Sequence, residues 1–114
     1  MMYEKIYDTL VDANIKPYSI GQHNGECNNP YVVISNAGTN PFSVGLKYDI
    51  IDIIIYYPIG AYSKVEPYAN KVKQALKKIK NLKYTNTDTP IVIDDDKKAY
   101  TQSFTYQVYK RKVK

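Results

Sequence analysis

The segment Lys47–Tyr57, KYDIIDIIIYY, constrains this chain more than any other. Read as a β-strand, with side chains alternating between faces, it places Tyr48, Ile50, Asp52, Ile54 and Tyr56 on one side. Lys47, Asp49, Ile51, Ile53, Ile55 and Tyr57 fall on the other. Both sides are apolar in the middle, the pattern of a strand that needs cover on two faces. Eleven residues at ~3.3 Å each reach roughly 36 Å. A chain of 114 residues and 13.1 kDa supports one hydrophobic core, hence a single domain over 1–114. One layer of helices covers one side of such a strand, so a neighbouring subunit is expected to cover the other.

The rest of the chain supplies that helix layer. Tyr3, Ile6, Tyr7, Leu10 and Val11 recur at helical spacing, which predicts an amphipathic helix ending near Asn14, ahead of Pro17. Ser19–Pro30 carries glycine and asparagine without periodicity and reads as a loop. Tyr31–Ser35 is β-branched and short, as a strand should be. The turn-rich Asn36–Gly45 is expected to form a protruding hairpin loop before the long strand. Beyond Pro58 and Gly60, the stripe Val65, Tyr68, Ala69, Val72, Leu76 and Ile79 predicts a second helix, starting between residues 63 and 67 and ending near Lys80. Tyr84–Pro90 is polar and threonine-rich, Ile91–Ile93 reads as a short strand and Asp94–Lys98 as a charged turn. Ala99–Arg111 alternates as a half-buried antiparallel strand. Residues 110–114 are expected to be a frayed basic tail. The fold class that follows is α+β, an antiparallel-rich sheet with two helices packed on one face.

Composition narrows the function. With 44% hydrophobic and 24% charged residues the chain is too apolar to be disordered. Cys27 is the single cysteine and cannot form an internal disulfide. The opening Met-Met-Tyr-Glu-Lys lacks the pattern of a secretory signal, so a reducing compartment is expected. The apolar run Ile53–Ile59 falls well short of the ~20 residues that cross a bilayer. The net charge of +5 invites a nucleic-acid partner. Of 16 basic residues, however, only Arg111 has the guanidinium fork that reads base edges and phosphates, and the lysine excess also fits solubility and AT-rich codon supply. Lys71, Lys73, Lys77 and Lys78 on the second helix, with Lys110, Arg111 and Lys112, are expected to form a solvated basic surface.

No constellation points to catalysis. His23 is the sole histidine, and with Cys27 it falls short of a zinc ligand set. Asp94, Asp95 and Asp96 before Lys97 and Lys98 resemble a nuclease acid-and-lysine spacing, to which Asp49 or Asp52 could add a carboxylate. A charged turn blunting a sheet edge explains them better. No glycine-rich phosphate loop is present, so no metal, cofactor or catalytic residue is assigned. Asp52 interrupts the face formed by Ile50 and Ile54 and is expected to meet a lysine of this chain or a partner. Thirteen tyrosines suit partly hydrated subunit contacts, and equally reflect codon bias and strand propensity.

The order YEKIYDTLVDA, YVVISNAGTNPFSVG, KYDIIDIIIYYP, YSKVEPYANKVKQALKKIK and IVIDDDKKAYTQSFTYQVYKRK resembles the small tail-terminator, or tail-completion, proteins of long-tailed bacteriophages and phage-tail-like particles. The resemblance implies a homohexameric ring that sits on the last ring of tail tube protein, ends its polymerisation and presents its other face to a head-completion or neck protein. Asn36, Thr39, Asn40, Pro41 and Phe42 would contact the tube or neck. Tyr48, Asp52, Ile53, Ile55, Tyr57 and Tyr109 are the expected subunit contacts. DNA would pass only through the lumen, with the helix lysines facing outward. The expected location is the virion or tail-like particle, assembled in the bacterial host cytoplasm. Alternatives are another neck, head-tail joining or minor capsid protein, and a small nucleic-acid-binding α+β domain resting on the lysine-rich helix and the KRKVK terminus.

Overall fold

A computed structural model describes residues 2–23, 25–43 and 46–109, with side chains described except at 37–48 and 109. Helix α1 spans Met2–Asp12. Its end is built from the expected residues: Asn14 takes a left-handed φ of 62°. The Asn14 amide then donates to the Val11 carbonyl and the Ile15 amide to the Leu10 carbonyl. This paired closure of helix carbonyls brings Leu10 and Ile15 together, and both are buried in the core. Strand β1, Pro17–Ser19, follows directly and pairs in parallel with β2, Tyr31–Ser43.

β2 and β3, Leu46–Pro58, form a long antiparallel hairpin. Asn36–Ser43, expected as a loop, is therefore strand. Its turn-forming residues are absorbed by register shifts between Asn36 and Gly38 and between Asn40 and Ser43, the second containing Pro41. A proline costs a sheet little at such a bulge on an edge. Residues 44 and 45 lie outside the described residues.

A 3₁₀ turn at Tyr62–Lys64 leads into α2, Val65–Leu76. The polar stretch after it pairs as β4, Leu82–Asp88, with a bulge between Tyr84 and Thr87. β5, Val92–Asp94, and β6, Ala99–Tyr109, close the chain as a hairpin. Among the described residues the sheet has six strands in the order β1-β2-β3-β6-β4, with β5 also on β6. The class is α+β, as expected. β1 and β4 are additions to the expected order.

Both helices pack on one face. Ile6 and Leu10 of α1, and Val65, Ala69, Val72, Ala75 and Leu76 of α2, meet Ile51, Ile53 and Ile55 of β3 and Phe104, Tyr106 and Val108 of β6. Ile53, Ile55 and Phe104 are wholly buried there. This corrects the expectation that Ile53 and Ile55 form a subunit contact: the chain's own helices enclose them.

The open sheet face as a candidate interaction surface

The opposite face of the sheet is only half covered. Residues paired across the strands share a face, so Val33, Ile54 and Ser103 form one row and Ser35, Asp52 and Thr105 another. All are partly exposed, as are Ile50, Tyr56 and Thr101. Among the described residues the two-sided apolar strand thus has helices on one side and no helix layer on the other.

One end of this face carries a small second core. Loop residue Cys27 donates its backbone amide to the Lys97 carbonyl at 2.6 Å, tying the loop to the turn before β6. Cys27, Tyr31 and Ala99 are buried together, with Tyr18, Val33 and Tyr56 around them. His23 stacks on Tyr31 with centroids 4.0 Å apart, and Tyr31 stacks on Tyr56 at 4.8 Å. Tyr18 meets both His23 and Tyr31 edge-on. Beside the stack lies a cleft of about 340 Å³ that includes Ile20, His23, Val33, Ile54 and Lys97. Ile20 is 65% exposed at its rim.

Burial shifts both titratable groups of this end towards their uncharged forms. Burial pushes the Cys27 thiol up to about 11, and Sγ donates to the Asn29 carbonyl at 3.2 Å. A protonated, enclosed thiol is a poor nucleophile. Iodoacetamide at pH 8 is therefore expected to label native Cys27 at least tenfold more slowly than the unfolded chain, read by mass spectrometry. Burial, reinforced by the Lys97 ammonium, lowers the His23 pKa from its usual 6.5. Lys97 Nζ is held 3.0 Å from the His23 carbonyl oxygen. The folded chain then binds fewer protons at His23 than the unfolded chain. Stability is complete above about pH 6.5 and falls as pH drops through the lowered value. Urea midpoints between pH 7.5 and 5 should show this slope, and it should flatten in His23→Gln.

Asp52 sits at the centre of the open face. Its expected lysine is absent among the described residues; the Thr105 hydroxyl donates to its carboxylate at 3.0 Å. A neutral hydroxyl suffices because Asp52 is partly open to water. Tyr57, another expected contact, packs edge-on against Tyr68 of α2, centroids 5.6 Å apart, on the helix face. Backbone of Asn36, Thr39, Asn40, Pro41 and Phe42 lies on β2 rather than in a loop. Side chains of Thr39, Asn40, Pro41, Phe42, Tyr48 and Tyr109, and all of Lys110, Arg111 and Lys112, lie outside the described residues.

α2 stops at Leu76 rather than near Lys80, so Lys71 is exposed on the helix while Lys77 and Lys78 are exposed in the turn after it. Lys73 differs: Nζ pairs with Asp88 of β4 at 3.1 Å and lies over the Tyr84 and Phe104 rings at 4.8 and 4.5 Å. It fastens helix to strand, while the Tyr84 hydroxyl donates to the other Asp88 oxygen. No pattern in the sequence signals this contact, since the fifteen-residue separation of Lys73 and Asp88 carries no periodicity.

Among the described residues no group of three or more His, Cys, Asp or Glu side chains could hold a metal ion. None of their helices is long and apolar enough to cross a membrane. The fold and this surface define an α+β protein with one sealed and one half-open sheet face. No family model matches the chain, and no curated protein matches it either.

Proposed function

We propose that the chain is a structural protein of a long-tailed phage or phage-tail-like particle, a ring-forming subunit that caps the tail tube, ends its growth and docks to the neck. The observation that carries this reading is the unequal cover of the sheet. Ile53 and Ile55 are sealed by the chain's helices, whereas Val33, Ile50 and Ile54 are only partly buried on the reverse. Apolar surface left in this way marks contact with another molecule. A second support is the β2–β3 hairpin: β1 pairs only Val32–Ile34 of β2, and no described strand pairs the outer edge from Ala37 to Ser43. An unpaired edge on a long hairpin suits addition of a strand from a neighbouring ring. The element order of the phage proteins that the sequence resembles supplies the particular assignment.

The test is mass measurement and electron microscopy of the purified protein, alone and with tube subunits of the same particle. A ring, in solution or on the tube end, with tubes of defined length, is expected. A chain that stays monomeric in both settings and leaves tube growth unchecked refutes the assignment. Rings that bind the neck protein but ignore tubes move it to head-tail joining.

A further inference from the structure

A basic groove of about 410 Å³ runs between α2 and β4. Leu76, Leu82 and Tyr106 give it an apolar floor. Lys77 and Lys83 stand exposed on its rim, and neither pairs with a carboxylate among the described residues. Lys73 on the wall is already held by Asp88.

A complementary surface lies on the β5–β6 hairpin. Val92 and Ile93 are 54% and 56% exposed, and Asp95 and Asp96 follow them into solvent. Within the same turn, Asp94 accepts the Lys97 amide at 3.1 Å and Lys97 reaches the His23 carbonyl. Both are occupied in shaping the turn, and Lys98 is the one basic residue exposed there. Apolar residues followed by acids on the turn match an apolar floor rimmed by lysines in the groove.

The two surfaces cannot meet within one molecule. Asp94 pairs with Ala99 at one end of β6, and Tyr84 pairs with Tyr106 towards the other. That separation along the strand is about 24 Å at ~3.4 Å per residue. We propose that the β5–β6 turn of one copy docks into the α2–β4 groove of the next. Ile93, which shares the face of Tyr100 and Tyr57, covers the floor, while Val92 on the other face of β5 stays at its rim; Asp95 and Asp96 reach Lys77 and Lys83. Because the two patches differ, the contact is head-to-tail, the kind that closes by rotation into a ring. The apolar residues supply affinity, and the rim charges set orientation and salt dependence. This docking rests on the ring reading and gives it a specific subunit contact.

Charge reversal tests it, by sedimentation velocity at low and high salt with and without tube subunits. Asp95→Lys with Asp96→Lys, and separately Lys77→Asp with Lys83→Asp, should each weaken association at least tenfold. An equal mixture of the two double variants should reassemble, because every groove again faces a turn of opposite charge. Misfolding of either variant cannot produce that rescue. Circular dichroism of each variant alone confirms its fold. Assembly indifferent to both reversals overturns the docking and leaves the ring reading standing. Loss of assembly in each folded variant without rescue on mixing also overturns the docking, and so does rescue that salt does not affect. A wild-type chain monomeric with and without tube subunits overturns both.

Discussion

Replacing Ile53 with lysine is expected to unfold the protein. Ile53 is fully buried between β3 and the helix layer, among Ile6, Leu10 and Phe104. Truncating such a side chain costs about 2–5 kcal/mol, and enclosing an unpaired ammonium adds several more. A domain of this size has about 5–15 kcal/mol in total. Circular dichroism and a urea titration at 25 °C should show no cooperative transition. A variant that keeps the wild-type midpoint would place Ile53 outside the core.

The same substitution one residue later should have the opposite profile. Ile54 lies on the half-open face, in a row with Val33 and Ser103. A lysine there extends its ammonium into water along the aliphatic stem, so the monomer's stability should change by about 1 kcal/mol or less. At an assembly contact the same charge sits in an apolar interface, where central residues are worth about 2 kcal/mol or more, about 30-fold in affinity. Ile54→Lys is thus expected to give a folded chain whose assembly through the open face is weakened about 30-fold. Sedimentation velocity beside the urea curve reads both properties. Wild-type assembly by this variant would show that the open face takes no part in assembly. Two neighbours differing only in which way they point make the comparison strict.

That alternation was legible in the sequence because period-two patterning is local. The helices were legible for the same reason: Ile6 and Leu10, and Val65, Ala69, Val72 and Leu76, fall at helical spacing and are all buried. What escaped was borrowed structure. β1 is three residues beginning with a proline, and it exists because β2 offers its edge. β4, LKYTNTD, has little hydrophobic pattern and takes its order from β6. The far half of β2 is full of turn formers, yet β3 pairs with it on one side. Propensity yields to a ladder already in place. The stack of His23 on Tyr31 and the Lys73–Asp88 pair were likewise beyond reach, because each joins distant segments and depends on the finished topology.

The interruptions in the outer margin of β2 have a further consequence. Shifts at Ala37 and around Pro41 leave only Gly38, Thr39 and Asn40 in unbroken register between them. A generic flat strand would find donors and acceptors in line for no more than that span before the ladder steps aside. Promiscuous templating, the hazard of any bare margin, is thereby discouraged. A strand with matching kinks would lose nothing there, so the irregular rim favours a backbone shaped to it over a flat one.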